Sequence, residues 1–267
     1  MIKLIATDID GTLLPPAAGQ IPEELVRVMR ALTCHGVRIM IASGRPYTGL
    51  VRVFGFISDD LIYNCSNGGC LYCGRQMISV RPLGSREEVR FLVEKIRAMG
   101  RTFTLDTPTA CYTENLSDAI FERSVKAGIN MIRTEDVLTV PDPVKISIAY
   151  PDGGPDAHTE DPDIVELRRF FQAAPAGAMY LDINPLDGGK GLGVRKAQEI
   201  YGILPEETAA FGDASNDVSM FAMTPNSYAV EGAAPDVLSA ASFRIEGPEK
   251  GGMLRYMEQL LALYERI

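Results

Sequence analysis

The sequence has little of what zinc-binding and disulfide-stapled proteins depend on. It contains only two histidines in 267 residues, His35 and His158, and its five cysteines are an odd number. An odd number without an export signal favours reduced thiols over a disulfide framework. Cys70 and Cys73 have the spacing of half a zinc site or of a redox pair, but a closed zinc site needs four ligands and the histidines lie far apart. Ordinary buried thiols on a hairpin are the favoured interpretation.

Long apolar stretches are also missing. Each apolar run ends within roughly ten residues, whereas a helix that crosses a bilayer needs about twenty. Residues 1–6 run directly into Thr7 and Asp8, so the start lacks the apolar region and the cleavage site of a signal peptide. We therefore expect no membrane association and predict a cytoplasmic protein.

The charge pattern argues against nucleic acid binding. Lysine and arginine number 26 against 35 aspartates and glutamates, the net charge is −9, and the sequence has no basic block. A nucleic acid partner is therefore not expected. A small anionic substrate would need a metal ion, backbone N–H groups or a few placed cations, because the overall field repels it.

The hydrophobic pattern predicts an α/β fold. With 46% hydrophobic and 23% charged residues, the composition is that of a globular protein. A buried strand at 3–7, an amphipathic helix at 23–33 and a second strand at 37–42 form one βαβ unit. Such a unit implies parallel strands joined by a right-handed crossover. Further strands are expected at 61–64 and after Gly69.

A change of pattern after residue 81 predicts a second unit. Ser85 and Glu88 have the spacing of a capping box that opens a helix. Strands and helices then alternate, with strands expected at 102–106, 144–150 and 179–183 and helices at 117–126 and 163–173. After residue 188 the first style returns, with a helix at 191–201 and strands at 208–211 and 228–230.

The predicted fold class is therefore α/β, with a Rossmann-like parallel-sheet core domain and an inserted α+β cap domain. The core domain is discontinuous and comprises residues 1–81 and 188–267, and the cap domain comprises residues 82–187. In an open parallel sheet, ligands bind beyond the carboxyl ends of the strands. Polar residues at those ends are therefore the first candidates for a site.

Two aspartates stand where the first strand ends. Asp8 and Asp10 are two residues apart and Gly11 follows them. Their carboxylates can point into one cleft and hold a divalent cation through oxygen atoms, as Mg²⁺ requires. With the cation bound, Asp8 stays ionised and can attack phosphorus, while Asp10 gives and takes the proton. An aspartate-rich turn that closes a strand is the alternative.

Two further segments carry groups suited to phosphate. Ser43 and Gly44 follow the second strand, where a hydroxyl and neighbouring N–H groups can hold phosphate oxygens. Lys190 stands between glycines at a predicted helix start and can reach a phosphate as a mobile point charge. Each pattern alone is also typical of an ordinary turn or of an exposed lysine at a helix start.

A last polar segment follows the strand at 208–211. Asp213 can complete the metal shell, and Asp217, one helical turn further on, can bind metal-bound water or orient Lys190. Asn216 is a candidate contact for phosphate. A helix-capping Asp213 is the alternative.

In this order, the four segments resemble the motifs of the haloacid dehalogenase superfamily of phosphatases. The matching residues are Asp8-Ile-Asp10-Gly-Thr12, Ser43-Gly-Arg45, Lys190 and Gly212-Asp213-x-x-Asn216-Asp217. The insertion before Lys190, with Asn67-Gly68-Gly69 after a strand, is similar to the Cof-like branch, which has an α/β cap between the second and third motifs. One departure is Glu231-Gly-Ala-Ala234, where relatives often have a Gly-Asn-Ala segment, so any contact of that asparagine is in doubt.

The resemblance implies roles for these residues. Asp8 is the expected nucleophile, Asp10 the acid and base, and Mg²⁺ is expected on Asp8, the backbone carbonyl of Asp10 and an aspartate of the last motif. The predicted metal-binding residues are Asp8, Asp10, Asp213 and Asp217. The predicted phosphate-binding residues are Thr12, Ser43, Gly44, Lys190 and Asn216.

These roles predict a Mg²⁺-dependent phosphatase that hydrolyses a small phosphorylated metabolite, such as a sugar phosphate, through an aspartyl-phosphate. A phosphosugar mutase with the same aspartate pair is an alternative, which product analysis separates. A non-catalytic metal-binding regulatory protein is another, against which the joint presence of Asp8, Asp10, Lys190 and Asp213 argues. A monomer or a homodimer is expected.

Substrate choice is predicted to lie in the cap and around the cleft. The candidate substrate-facing residues are Arg45, Asn67, Glu114, Lys145, Asp182 and Asn184. At least half of the cap candidates are expected to be solvated surface residues instead.

Overall fold

The computed structural model describes residues 1–266 except 17, 19, 58, 152 and 153. Residue 267, the last of the predicted core domain, lies outside the described residues. The first segment contains β1 Leu4–Thr7, α1 Glu23–Cys34, β2 Arg38–Ala42, α2 Tyr47–Phe54, β3 Ile62–Cys65, β4 Cys70–Cys73 and β5 Gln76–Val80. The second contains α3 Arg86–Ala98, β6 Phe103–Asp106, β7 Cys111–Thr113, α4 Asp118–Lys126, β8 Met131–Arg133, β9 Lys145–Ala149, α5 Pro162–Leu167, β10 Phe171–Ala176 and β11 Tyr180–Pro185. The third contains α6 Lys190–Tyr201, β12 Thr208–Gly212, α7 Val218–Phe221, β13 Asn226–Val230, α8 Pro235–Ala240, β14 Phe243–Ile245 and α9 Gly252–Tyr264.

The first and third segments form one large sheet. Its strand order is β14-β13-β12-β1-β2-β3-β4-β5. Neighbouring strands from β14 to β3 are parallel, whereas β4 and β5 form antiparallel pairs at one edge. This large, mainly parallel sheet confirms the predicted α/β fold class.

The large sheet is buried on both faces, as a doubly covered parallel sheet requires. Along β1, Ile5 packs in the hydrophobic cluster that contains residues of α1 and α9, whereas Leu4 and Ala6 pack with residues of α6, α7 and α8. The side chains of successive residues point to opposite faces of a strand. Each strand therefore contributes to both hydrophobic layers.

The second segment forms a separate six-stranded sheet in the order β10-β11-β9-β6-β7-β8. Its pairs are antiparallel except for β7 with β8. It has its own hydrophobic cluster, in which α3 and α5 pack on the sheet. The division of the chain into a core domain and a cap domain at residues 81/82 and 187/188 stays a prediction.

Two local predictions from the sequence, a capping box and a helix, have different outcomes in the structure. The predicted capping box is confirmed, since the Ser85 hydroxyl accepts a bond from the Glu88 N–H and the Glu88 carboxylate accepts one from the Ser85 N–H. The helix predicted at 163–173 is wrong in its second half. It ends at Leu167, and β10 pairs antiparallel with β11. Phe171 and Ala173 are buried while Gln172 is partly exposed, which is the period of a strand.

Within the described part of the chain, no helix combines the length and the apolar character needed to cross a bilayer.

Candidate active site

The predicted motifs meet because of the strand order. β12, β1 and β2 are adjacent and parallel, so their carboxyl ends lie side by side. Asp8 directly follows β1, Ser43 follows β2 and Asp213 follows β12. Three residues that are far apart in sequence are therefore neighbours at one edge of the sheet.

Lys190 lies between two of the predicted site carboxylates. Its Nζ is 2.6 Å from Oδ1 of Asp8 and 2.6 Å from Oδ1 of Asp217, and the side chain is almost fully buried. Burial alone would lower the pKa of Lys190, but the carboxylates of Asp217 and Asp8 outweigh it and raise the pKa above its ordinary value. Asn64 donates a hydrogen bond of 2.7 Å to the backbone carbonyl of Lys190, which fixes the start of α6. Lys190 is thus a buried, charged residue and not an exposed lysine at a helix start.

The loop after β12 is stabilised by hydrogen bonds to the carboxylates of Asp213 and Asp217. Oδ2 of Asp217 accepts hydrogen bonds of 3.0 Å from the backbone N–H groups of Asp213 and Ala214. Thr12 donates a bond of 2.7 Å to Oδ1 of Asp213. Gly11 has a φ of +94°, and a Cβ at this position would collide with the Asp213 carboxylate. The turn after β1 therefore requires glycine so that the two loops can approach each other.

Three carboxylates converge at this point. One oxygen atom from each of Asp8, Asp213 and Asp217 lies within 4.8 Å of the others. Burial raises the pKa of Asp8 to about 7, against the lowering effect of Lys190, and Asp217 raises it further. Burial likewise raises the pKa of Asp213. Three carboxylates beside one ammonium leave an excess of negative charge, and their oxygen atoms are the donors that Mg²⁺ prefers. The residues therefore fit a divalent cation.

The side chain of Asp10 lies outside this carboxylate cluster. Its Oδ2 is 2.5 Å from Nη2 of Arg45, and both side chains are partly exposed. Both residues line the same cavity as Asp8. The structure thus places the Asp10 carboxylate at the cavity wall, away from the group formed by Asp8, Asp213 and Asp217.

The predicted phosphate-binding residues fall into two groups. Ser43, Gly44, Lys190 and Asn216 line the cavity. The hydroxyl of Ser43 accepts a hydrogen bond of 3.2 Å from the Arg45 N–H. Thr12 is absent from the described cavity lining because it is buried behind Asp213, to which its hydroxyl donates.

The cavity has a volume of about 450 Å³, and its walls come from both sheets. Of the predicted substrate-facing residues, Arg45, Lys145 and Asp182 line it. Asn67 lies behind this wall and donates a hydrogen bond of 2.8 Å to Oδ2 of Asp182. Asn216 in turn donates one of 3.4 Å to Asn67.

Two of the predicted substrate-facing residues are not on the cavity wall as far as the structure describes it. The carboxylate of Glu114 accepts hydrogen bonds from the guanidinium of Arg97 and from the backbone N–H of Val137. Asn184 is buried, and its Oδ1 has no hydrogen-bond partner among the described residues. The described lining of the cavity includes neither residue, and a role for them in substrate binding stays a prediction.

Several residues that line the cavity were not among the predicted site residues, above all Asp106. This aspartate is the last residue of β6 and is buried, and its Oδ2 accepts a hydrogen bond of 2.9 Å from Ser66 and lies 3.4 Å from Nζ of Lys145. A carboxylate at the end of a predicted buried strand was the signal that could have found it. Ser66, which lies outside the described lining, carried no comparable signal.

The chain is similar in sequence and in structure to known hydrolases and phosphatases. The sequence profile of the haloacid dehalogenase-like hydrolases matches residues 5–257. The 5-amino-6-(5-phospho-D-ribitylamino)uracil phosphatase YbjI of Escherichia coli K12 is 24% identical over 97% of this chain and 96% of that protein. A phosphoglycolate phosphatase of Metallosphaera sedula is 25% identical over 98% of this chain and 100% of that protein. A haloacid dehalogenase-like hydrolase from Bacteroides thetaiotaomicron has the same fold, with a TM-score of 0.82, 24% identity and coverage of 97% of this chain and 100% of that chain.

The chain therefore belongs to the haloacid dehalogenase-like hydrolase family. The resemblance predicted from the four motifs is confirmed, and so is the prediction that the chain is an enzyme of this hydrolase type.

Proposed function

We propose that this protein is a Mg²⁺-dependent phosphatase that hydrolyses small phosphomonoesters, such as sugar phosphates, through an aspartyl-phosphate on Asp8. The observation that carries the proposal is the convergence of Asp8, Lys190 and Asp213 in one cavity, with Asp217 directly behind them. The phosphatase names of relatives that align over nearly the whole chain support the same reaction class.

In the first step, a carboxylate oxygen of Asp8 attacks phosphorus and the ester P–O bond breaks. The leaving alkoxide takes a proton from Asp10, which the Arg45 contact holds at the cavity wall. In the second step, Asp10 removes a proton from water, which attacks the same phosphorus. The bond from phosphorus to Asp8 breaks, and inorganic phosphate and the free carboxylate result.

The phosphate is held by groups on the core side of the cavity. Lys190 supplies a buried positive charge, and Ser43, Gly44 and Asn216 supply hydrogen-bonding groups. Thr12 acts by orienting Asp213. Lys190 is fixed by its contacts with Asp8 and Asp217, so its charge needs little reorganisation during the reaction.

Asp8 and Asp213 would hold Mg²⁺, together with the backbone carbonyl of Asp10 that the family resemblance adds. When bound, the cation neutralises charge on the phosphoryl oxygens. Both oxygens of Asp217 already accept hydrogen bonds from the protein, from Lys190 on one side and from two backbone N–H groups on the other. We therefore assign Asp217 the task of orienting Lys190 and the loop that carries Asp213.

A phosphate-release screen over sugar phosphates, nucleotides and pyridoxal phosphate tests the reaction class. Wild-type protein should release phosphate with Mg²⁺ and lose this activity with EDTA.

Asp8→Asn should abolish release without unfolding the protein, because the amide has nearly the same shape but cannot attack. Asp163→Asn, which removes a half-exposed carboxylate that pairs with Lys95 outside the cavity, is the matched control. An Asp8→Asn variant that keeps about a tenth of the wild-type turnover would contradict the assignment. An isomeric sugar phosphate in place of free phosphate would identify a mutase instead.

We also propose that the enzyme works in the cytoplasm. The five cysteines are unpaired, which suits a reducing compartment.

A further inference from the structure

Resting on the proposed phosphatase function, we propose that the cavity selects phosphate esters of uncharged, hydroxylated alcohols. Asp106 and Asp182 act as the specificity-determining residues that exclude alcohols carrying a second anionic group, such as a carboxylate.

One wall of the cavity carries a buried group of three charged residues. Lys145, Asp106 and Asp182 are each at most 5% exposed. Nζ of Lys145 is 3.4 Å from Oδ2 of Asp106, 3.2 Å from Oδ2 of Asp182 and 2.8 Å from the backbone carbonyl of Gly44. An ammonium has three N–H donors, and three oxygen atoms of the protein surround this one.

Lys145 is therefore not a free receptor for a substrate anion. Burial alone would lower its pKa, but Asp106 and Asp182 outweigh burial and raise the pKa above its ordinary value. A substrate carboxylate that bound Lys145 would have to displace one of these oxygen atoms. It would also come into contact with the two aspartates, and like charges in a partly dehydrated site repel strongly.

The other cationic side chains of the cavity are also ion-paired with carboxylates of the protein. Among the described residues that line the cavity, the basic side chains are Arg45, Lys145 and Lys190. Arg45 contacts Asp10, and Lys190 contacts Asp8 and Asp217. The aspartates on the described lining outnumber these cations, and they are Asp8, Asp10, Asp106, Asp182 and Asp213. A divalent cation on the core side would serve the phosphate and would leave the wall around Lys145 unchanged.

The same wall suits hydroxyl groups. A carboxylate has about four acceptor sites. Asp106 faces the donors of Ser66, Lys145 and Cys111, and Asp182 faces those of Asn67, Lys145 and Ser147. About one acceptor site is therefore left on each carboxylate for an alcohol O–H group. The hydroxyl of Ser147 donates a bond of 2.6 Å to Asp182 and also lines the cavity. Apolar side chains of the lining, such as Met131 and Tyr180, offer contact for the C–H faces of a polyol. The volume of about 450 Å³ is within the usual range for small-molecule sites.

Two matched substrate pairs test the proposal. Glucitol 6-phosphate and 6-phosphogluconate differ only in a CH₂OH or a carboxylate at the end remote from phosphate, and glycerol 3-phosphate and 3-phosphoglycerate form a shorter pair. We expect kcat/KM for the longer polyol to exceed that for its acid by about tenfold or more. Asp106→Asn and Asp182→Asn should each shift this ratio toward the acid by about tenfold. The ratio within one variant cancels any general loss of activity, and Asp163→Asn should leave the ratio at the wild-type value.

Calorimetric binding of the same four esters to the Asp8→Asn variant with Mg²⁺ gives a readout that does not need turnover. Tighter binding of the polyol esters supports the inference even if the wild-type protein releases no phosphate, in which case only the proposed function fails. Turnover or binding of both acids at the level of their polyol partners overturns the inference while leaving the phosphatase assignment intact. If both aspartate variants fail to fold, the wild-type ratio and the binding order still decide between these outcomes.

Discussion

The side-chain amide of Asn67 donates a hydrogen bond of 2.8 Å to the carboxylate of Asp182, 115 residues further along the chain. Its neighbour Ser66 donates one of 2.9 Å to Asp106. Ser66 and Asn67 both have left-handed backbone conformations, with φ of 48° and 53°, which are unfavourable for residues with a Cβ. The turn after β3 thus accepts local strain, and its two side chains bind the two aspartates of the second sheet that line the cavity.

Two substitutions of Asn67 separate the contribution of its hydrogen bond to the free energy of unfolding from that of its backbone conformation. Asn67→Gly keeps the left-handed backbone and removes the amide, and should lower the free energy of unfolding by about 1–2 kcal/mol. Asn67→Ala should cost about 1 kcal/mol more, because alanine disfavours a positive φ. Urea unfolding measures both changes, and an increased KM for the best substrate would accompany them.

Asp142 is the matched control for this experiment. It has a similar φ of 54° but lies on an exposed loop. Asp142→Gly should change the free energy of unfolding by no more than about 0.5 kcal/mol, and the difference between Gly and Ala should resemble that at position 67. If Asn67→Gly is as stable as the wild type, the bond to Asp182 contributes nothing measurable.

Lys190→Met should be strongly destabilising when no metal is present. The substitution keeps much of the side-chain volume but leaves the carboxylates of Asp8 and Asp217 buried without their cation. Breaking a buried ion pair in this way costs about 3–5 kcal/mol. Because a divalent cation can neutralise the same carboxylates, the loss measured by urea unfolding should be smaller in Mg²⁺ than in EDTA.

Lys250→Met serves as the comparison, since Lys250 pairs with Glu231 and both side chains are more than half exposed. Such a surface pair contributes about 0–1 kcal/mol. Equal losses for the two lysine variants in EDTA would show that the ion pairs of Lys190 do not stabilise the fold.

Mg²⁺ should stabilise the folded protein through the carboxylates of Asp8 and Asp213. A ligand that binds only the folded state at about 100 times its Kd adds about 2.7 kcal/mol, so the melting temperature should rise on titration with Mg²⁺. Asp213→Asn should reduce the rise, because it removes one charge from the group formed with Asp8 and Asp217. Thermal unfolding with and without EDTA measures the effect. An unchanged rise in Asp213→Asn would place the cation elsewhere.

The core side of the site could be predicted because its position follows from strand topology alone. Once the first strands are assigned to a parallel sheet, Asp8, Ser43 and Asp213 must lie at its carboxyl edge. The contact between Lys190 and Asp217 was one of two roles that the sequence left open for Asp217, and the structure shows it as a buried ion pair.

The opposite wall could not be predicted, because it depends on register in an antiparallel sheet. Asp106 lies opposite Lys145 and Asp182 lies opposite Ser147 only in the pairing of β9 with β6 and β11. A shift of one residue would turn these side chains to the other face. The contact between Glu114 and Arg97 on α3 could not be predicted for a related reason, since it exists only after the helix has packed.

The thiols offer a last test, of the interpretation that Cys70 and Cys73 are ordinary hairpin residues. Burial, with a further contribution from Asp106, raises the pKa of Cys70 to about 12, and burial raises the pKa of Cys65 and Cys111 well above their usual range. Because the thiolate is the reactive form, iodoacetamide at neutral pH should modify exposed Cys34 first and leave these three unmodified until the protein is unfolded. Mass spectrometry of peptides from native and urea-unfolded protein measures the order. A redox pair needs a thiol of lowered pKa, so modification of native Cys70 as fast as Cys34 would contradict the interpretation.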